Sequence, residues 1–167
     1  MKKTYYYLFA IFIVLFDQLT KIYFENTLSD GSEIQLIGDY VKFNLVYNPG
    51  IAFGIRLGGK YILSSISLLA SIGIIIYIAK MQITRKLELW AFASILGGAV
   101  GNLIDRFFYG KVIDFIDCDF PDIIMVRWPV FNIADSFVTI GMALLIIQYF
   151  IFDSKKNESN QPVKTDN

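Results

Sequence analysis

The stretch YILSSISLLASIGIIIYIA, residues 61–79, contains no charged side chain. About 20 helical residues cross the hydrocarbon core of a bilayer, so this stretch predicts a transmembrane helix. Within lipid, the backbone polar groups of such a segment have to be satisfied by its own helical hydrogen bonds. This segment therefore decides the fold class, and the rest of the chain is interpreted around it.

Three further apolar stretches of spanning length occur at residues 5–24, 87–108 and 130–152. Of the 167 residues, 55% are hydrophobic, which is typical of a polytopic membrane protein. The sequence therefore predicts an all-α membrane protein of four transmembrane helices. Residues 1–153 are expected to form one domain, and residues 154–167 a polar, disordered tail.

Basic residues predict the orientation, because Lys and Arg are enriched in cytoplasmic loops. One side of the predicted membrane holds the tightly grouped Lys2, Lys3, Lys80, Arg85, Lys86 and the lysines of the tail. The other side holds more dispersed basic residues together with most of the acids. Both termini are therefore expected in the cytoplasm. The N-terminal stretch could instead be a secretory signal peptide, but its length and its Asp17 and Lys21 disfavour that alternative.

Two segments are then expected on the outer side. In the first, Val41, Phe43 and Leu45 alternate with polar residues, a period of two that predicts a half-buried strand. The turn Asn48-Pro49-Gly50 follows, and residues 51–57 are expected to return as the second strand of a hairpin within residues 33–58. The second outer segment, residues 109–129, is predicted to form a loop that covers the outer ends of the helices.

In the third predicted helix, Gly97 and Gly101 have G-x-x-x-G spacing, and Ser94 and Gly98 lie beside them. Small residues at this spacing allow two helix backbones to approach closely. We interpret them as packing residues.

Composition excludes several classes of site. The chain has no histidine, which removes Ser-His and Cys-His nucleophile systems and nearly all catalytic zinc sites. The single cysteine, Cys118, cannot form an internal disulfide. Fifteen basic and fifteen acidic residues balance, so no global charge predicts binding to nucleic acid. No metal and no cofactor are predicted.

The polar residues within the apolar stretches fall toward the outer membrane boundary. Charged groups near hydrocarbon are costly and are kept mainly where they have a partner or a task, so this convergence predicts a site. The residues concerned are Asp17, Lys21, Asn102, Asp105, Arg106, Asp114, Asn132 and Asp135.

Several of these residues also have purely structural interpretations. Asp17 and Lys21 are four residues apart and can form an ion pair on one helix face. Asp105 and Arg106 could tie the end of the third helix to its neighbours, and Asn132 is a natural helix N-cap.

The acidic residues of the second outer segment could form an ordinary solvated loop; they are Asp114, Asp117, Asp119 and Asp122. Only Asp114 has apolar neighbours on both sides, so only Asp114 is expected to dip toward the membrane. Asp135 has no basic residue nearby in sequence, and its simplest partner is another carboxylate sharing a proton. Such a pair can activate water against a peptide carbonyl, as in aspartic proteases.

Five motifs carry a resemblance to a known family: FDQLTK at 16–21, NPGIAFG at 48–54, GNLIDR at 101–106, VIDF at 112–115 and FNIAD at 131–135. In this order they resemble the prolipoprotein signal peptidases, the type II signal peptidases of bacterial inner membranes. The resemblance covers the chain apart from its tail. One departure is Ile51, where the family usually has alanine, and it bears on the contour of the outer hairpin.

The resemblance implies an aspartic endopeptidase that removes the signal peptide of diacylglyceryl-modified prolipoproteins just before the modified cysteine. It implies that Asp114 and Asp135 are catalytic. Membrane lipid, globomycin-type inhibitors and a monomeric state are likewise implied, with the active site near the outer leaflet of the inner membrane. The residues implied to bind substrate or shape the site are Asp17, Lys21, Asn48, Gly50, Asn102, Asp105, Arg106 and Asn132.

Two alternatives stay open at this point. A Ser-Lys peptidase would use Lys21 as a base with Ser136 or a neighbouring serine. A proton-coupled carrier would use Asp17, Asp105 and Asp135 as a relay, although carriers usually place such groups near the midplane within internal repeats.

Overall fold

Four helices form most of the computed structural model, which describes residues 2–52, 55–56, 60–119 and 128–150. They are α1 (Thr4–Leu28), α2 (Lys60–Lys80), α3 (Lys86–Phe108) and α4 (Ile133–Gln148). The first three are long and apolar enough to cross a membrane and coincide with predicted spans, whereas α4 is a shorter apolar helix. The predicted tail, and the end of the fourth predicted span, lie outside the described residues.

The helix α3 packs against α1, α2 and α4. Its small residues permit this, as the G-x-x-x-G spacing predicts. A Cβ atom on Gly98 would lie 2.3 Å from the carbonyl oxygen of Ala134 in α4, and one on Gly97 would lie 2.9 Å from that of Ala10 in α1. Because backbone cannot move aside cheaply, glycine at these two positions sets how closely the three helices approach.

The helix α2 contacts the bundle chiefly through α3. Its buried residue Ile78 joins a core cluster with Tyr6 of α1 and Leu89 of α3. Much of its remaining apolar surface is exposed, including Ile62 and Leu69. Apolar side chains exposed along a spanning helix are what contact with lipid requires.

A three-stranded antiparallel sheet covers one end of the bundle, in the order β1 (Glu33–Ile37), β2 (Val41–Asn48), β5 (Val112–Cys118). The predicted pairing of residues 41–48 with 51–57 is wrong, because β2 pairs with β1 and β5. The short strands β3 (Ile51–Ala52) and β4 (Ile55–Arg56) pair with each other. The strand β5 crosses a segment predicted as a loop; residues 120–127 of that segment are outside the described part.

The strand β5, in the segment predicted as a loop, is buried on both faces. Phe115 is 1% exposed and stacks on Phe24 of α1 with ring centroids 4.4 Å apart. Phe43 of β2 also contacts Phe24, again at 4.4 Å. These rings fasten the sheet to the end of α1.

Burial of a second aspartate in β5, on the same face as Phe115, corrects a further prediction. Asp117 is 2% exposed, the same as Asp114, although only Asp114 was expected to leave solvent. The reason is that β5 pairs with β2 and lies against α1 and α3, so its neighbours in space, and not its neighbours in sequence, determine its exposure.

Candidate active site

Eight polar side chains from α1, β2, α3, β5 and α4 meet where the sheet covers the helices. We call this group the polar cluster: Asp17, Lys21, Asn48, Asn102, Asp105, Asp114, Asn132 and Asp135. All eight had been singled out from the sequence, and hydrogen bonds or ion pairs connect them into one network.

Asp114 projects from β5 into this network. Asn132 Nδ2 donates to its Oδ1 at 2.6 Å, and Asn48 Nδ2 donates to its Oδ2 at 3.1 Å. Burial, and after it the charge of Asp135, raises the pKa of the Asp114 carboxyl from 3.8 to about 7. The two amide hydrogen bonds favour the ionised form and oppose this rise, but burial is the larger effect.

Asp135 lies in the first turn of α4. The backbone N–H of Asp135 donates to Asn132 Oδ1 at 2.9 Å, and the backbone N–H of Asn132 donates to Asp135 Oδ2 at 3.3 Å, which is a capping box. The predicted N-cap role of Asn132 is therefore present. Asn102 Nδ2 donates to Asp135 Oδ1 at 2.7 Å. Both carboxylate oxygens thus accept hydrogen bonds at the positive end of the α4 dipole.

Lys21 is the cation at the centre of the network and is 1% exposed. Its Nζ lies 2.7 Å from Asp17 and 2.8 Å from Asp105, and it donates to Asn102 Oδ1 at 3.0 Å. Three acceptors match the three N–H groups of an ammonium. Because Asn102 Oδ1 faces Lys21, its Nδ2 is directed toward Asp135.

Asp17 and Asp105 bind backbone as well as Lys21. The Ala134 N–H at the start of α4 donates to Asp17 Oδ1 at 2.9 Å. The Ile113 N–H of β5 donates to Asp105 Oδ2 at 3.1 Å. The ion pair predicted for Asp17 and Lys21 is present, and the two aspartates also hold the elements that carry Asp135 and Asp114.

Gln18 is part of this arrangement, although sequence analysis did not select it. Its Nε2 donates to Asp105 Oδ1 at 2.9 Å and to the Gly101 carbonyl oxygen at 3.2 Å. A signal was available, because Gln18 is an uncharged polar residue beside Asp17 within an apolar helix.

Asn48 and Gly50 form the turn at the end of β2. The Gly50 N–H donates to Asn48 Oδ1 at 2.9 Å, which directs Asn48 Nδ2 toward Asp114. Gly50 has a φ of 103°, and a Cβ there would lie 2.4 Å from Leu63 Cδ1. Glycine therefore suits this position for its backbone conformation as well as for the available space.

A cavity of about 560 Å³ adjoins the polar cluster, a volume within the usual range of ligand sites. Asp114 and Asp135 both line it. Its other walls are largely apolar, and they include Leu63, Trp128, Val130, Phe131, Val138 and Ile140. A ligand in this cavity would meet two carboxyl groups on an otherwise mainly hydrophobic surface.

Arg106 also lines this cavity, but its contacts differ from those expected. Its Nη1 donates to the Asn102 carbonyl oxygen at 3.4 Å, and its buried Nε has no hydrogen-bond partner. No ion pair joins it to another described residue, so the predicted tie at the end of α3 is made by Asp105. The guanidinium has five N–H groups, and it therefore has further hydrogen-bond donors beside the cavity.

Ser136 does not form the pair that the serine–lysine alternative needs. Its Oγ donates to the Asn132 carbonyl oxygen at 3.0 Å, while Lys21 is enclosed by Asp17, Asp105 and Asn102. The three N–H groups of the Lys21 ammonium are thus matched by three acceptors, none of which is Ser136.

This chain is similar to known proteins of one family. The family model described as Signal peptidase (SPase) II matches residues 9–151. A lipoprotein signal peptidase of Francisella tularensis subsp. novicida is 40% identical over 160 residues, covering 93% of this chain and 96% of the relative. One of Brevibacillus brevis is 36% identical over 153 residues, covering 92% and 99%.

A solved structure is also similar to this one. It is a bacterial membrane enzyme determined by the in meso method at 2.3 Å resolution, with a TM-score of 0.81 and 32% identity over 96% of this chain and 95% of that one. These matches confirm the resemblance seen in the five motifs. The chain therefore belongs to the signal peptidase II family, the multi-pass membrane proteases of lipoprotein processing.

Proposed function

We propose that this protein is an aspartic endopeptidase that cleaves diacylglyceryl-modified prolipoproteins just before the lipid-modified cysteine, using Asp114 and Asp135. One observation carries the proposal. Two carboxyl groups from separate elements, β5 and α4, line the same mainly apolar cavity beside a buried hydrogen-bond network. Acid–base chemistry on a lipid-modified peptide requires such a combination.

A charge count indicates that this pair holds a proton. The polar cluster with Arg106 contains four aspartates and two cations. Lys21 makes its ion pairs with Asp17 and Asp105, so among the described residues no cation is in direct contact with Asp114 or Asp135, and the charges of Lys21 and Arg106 act on them from a distance. Two neighbouring buried carboxyls do not both ionise readily, so one keeps its proton near neutral pH.

The contacts favour Asp135 as the ionised member. It accepts from Asn102 and from the Asn132 backbone at the start of α4, and Lys21 fixes the Asn102 amide in the donating orientation. Asp114 has no helix dipole behind it and titrates near pH 7. Asp135 is therefore the base and Asp114 the acid.

The reaction then proceeds in two balanced steps. Asp135 takes a proton from water as the oxygen attacks the scissile carbonyl carbon, and the Asp114 proton passes to the carbonyl oxygen. In the second step Asp135 delivers its proton to the leaving nitrogen, the C–N bond breaks, and a hydroxyl proton of the intermediate returns to Asp114. Each carboxyl ends in its starting state, as acid–base catalysis requires.

Other members of the cluster have positioning roles in this proposal. Lys21 and Asn102 orient Asp135, while Asn48 and Gly50 orient Asp114. Arg106 lines the cavity, and its guanidinium is placed to bind a carbonyl oxygen of the substrate backbone.

The proposed membrane arrangement has four spans, with α4 as the fourth, and both termini in the cytoplasm of a bacterial inner membrane. The polar cluster and sheet are then at the outer leaflet, where a diacylglyceryl group can stay in lipid while its peptide reaches the carboxyls. The apolar cavity walls support this substrate class and fit globomycin-type cyclic peptides. The proposed working unit is a monomer.

Purified protein should cleave a diacylglyceryl-modified precursor, and Asp114→Asn or Asp135→Asn should reduce turnover by about 10²–10⁴-fold, the usual contribution of an acid or base. The matched control is Asp117→Asn, which alters an equally buried carboxyl of the same strand outside the cavity lining. It should keep most of the activity. Near-normal turnover by either Asp114→Asn or Asp135→Asn would show that the assigned pair is wrong.

A further inference from the structure

A second cavity, of about 650 Å³, lies at the opposite end of α1 and α3 from the polar cluster. Lys2, Tyr5, Ile83 and Trp90 line it, from the start of α1, the α2–α3 connection and the first turns of α3. Lys3 Nζ donates to the Ala79 carbonyl oxygen, which holds the start of α1 against the end of α2. This cavity takes no part in the proposed reaction.

The surroundings of this cavity are strongly basic. We call Lys2, Lys3, Lys80, Arg85 and Lys86 the basic end. Glu88 is the only acid among the described residues of this region, and it accepts from Arg85 Nη1 at 2.7 Å and from the Tyr77 hydroxyl at 3.0 Å. Lys2, Lys80 and Lys86 are exposed, and no ion pair joins them to a described acid. The basic end therefore attracts anions.

The cavity also has an apolar side that continues along α1. Trp90 is fixed by edge-on contacts to Tyr6 and Phe9, each with ring centroids 4.9 Å apart. From the cavity residue Tyr5, the exposed side chains Leu8 and Phe12 follow at helical spacing on the same face. An apolar track of this kind suits an acyl chain beside the helix.

We propose that this cavity binds an anionic glycerophospholipid, with the phosphate at Lys2 and one acyl chain along the track from Tyr5 to Phe12. Both features of the cavity are needed for this assignment. The charge of Lys2 favours an anionic headgroup, and the apolar walls favour an acyl chain. A free phosphate would leave the Trp90 wall and the track unused, and a zwitterionic headgroup would gain little from the surplus positive charge. Basic pockets between spanning helices are a recurrent form of lipid site.

Trp90 provides a local probe of occupancy. The chain has two tryptophans, so Trp128→Phe leaves Trp90 as the single tryptophan, whose fluorescence can be excited selectively over that of the tyrosines. This variant is reconstituted into zwitterionic phosphatidylcholine vesicles containing increasing fractions of phosphatidylglycerol with brominated acyl chains, which quench tryptophan on contact. We expect saturable quenching at a mole fraction about fivefold lower than that needed with brominated phosphatidylcholine, the selectivity of about one lysine contact.

Substitution separates this site from general lipid contact. Lys2→Gln, at an exposed residue, should raise the half-quenching fraction of phosphatidylglycerol about fivefold. The control Lys111→Gln removes a lysine that stacks on Tyr47 by the sheet, and it should change nothing. Equal quenching by both lipids, no effect of Lys2→Gln, or displacement by inorganic phosphate would each overturn the proposal.

Discussion

The two ends of the helix bundle both pair basic side chains with carboxylates, but in opposite environments. In the polar cluster, Lys21 lies between Asp17 and Asp105, and all three side chains are at most 1% exposed. At the basic end, Arg85 pairs with Glu88 while half of the Arg85 side chain remains exposed. The same chemical interaction is thus fully desolvated at one end, whereas at the other end the arginine remains hydrated and only Glu88 is largely buried.

Burial determines which of these charges the fold depends on. A buried ion whose partner is removed cannot be hydrated, so its desolvation is left uncompensated. An exposed ion regains water when its partner is removed, and the net change is small. Substitutions at the polar cluster should therefore change both stability and activity, whereas those at the basic end should change neither by much.

The largest effect is expected from Lys21→Met, which keeps an unbranched side chain and removes the charge. It leaves Asp17 and Asp105 buried without their cation and should lower the free energy of unfolding by about 3–5 kcal/mol. Arg85→Met, at the basic end, is the matched control and should cost less, because Glu88 keeps its hydrogen bond from Tyr77 and is not fully desolvated. The measurement is unfolding of detergent-solubilised protein by increasing SDS, and equal losses would contradict the comparison.

A second test concerns backbone packing next to Asp135. Gly98→Ala places a methyl group against the Ala134 carbonyl, and overpacking of this kind costs about 1–3 kcal/mol. Gly73→Ala is the matched control, since a Cβ there meets nothing within 4 Å, and it should be neutral or stabilising by up to about 1 kcal/mol.

Turnover distinguishes this packing effect from a simple loss of stability. Because the added methyl displaces the start of α4, Gly98→Ala should also reduce cleavage in protein that is still folded. If folded Gly98→Ala protein cleaved substrate at the wild-type rate, displacement of the start of α4 would have no effect on catalysis by Asp135.

The third test is pH dependence through Asp114, whose pKa is 3.8 in the unfolded chain and about 7 in the folded protein. Between these values the folded protein holds a proton that the unfolded chain has released, so stability should fall as the pH rises from about 4 to about 7. Each pH unit corresponds to at most about 1.4 kcal/mol. Asp114→Asn should remove that part of the slope in unfolding experiments.

The pH dependence of turnover tests the protonation of Asp114 independently of stability. If Asp114 is the acid, kcat/KM should fall as the pH rises above about 7, because the required proton is lost. An unchanged rate across that range would assign the proton elsewhere.

Local sequence signals predicted much of this structure. Long apolar stretches predicted α1, α2 and α3, because spanning helices satisfy their own backbone. Spacing of four residues predicted the Asp17–Lys21 pair, and the position of Asn132 before an apolar helix predicted its N-cap. Each of these features depends on residues that are close in sequence.

The features that were missed depend on partners distant in sequence. The strand β5 pairs with β2 from the other outer segment, and no local pattern specifies that register. Its run of apolar residues around Asp114 was the available signal for a buried strand. The orientation of Asn102 depends on Lys21 and Asp135 in two other helices, so sequence could nominate this residue but could not assign its contacts.

The smallest effect is expected from Glu88→Gln at the basic end. The amide can still accept from Tyr77 and Arg85, and the partly exposed Arg85 can turn to water, so the loss should be about 0.2–1 kcal/mol.

The same carboxylate-to-amide change at Asp105, in the polar cluster, is the variant with which Glu88→Gln is compared. It removes a charge from Lys21 where water cannot replace it, and it should cost about 1–3 kcal/mol. Both variants are compared by SDS unfolding at one pH. Equal losses of unfolding free energy would mean that burial does not make the charges of the polar cluster more important for stability than those of the basic end. The functional role proposed for the polar cluster would then be supported only by the cavity beside it.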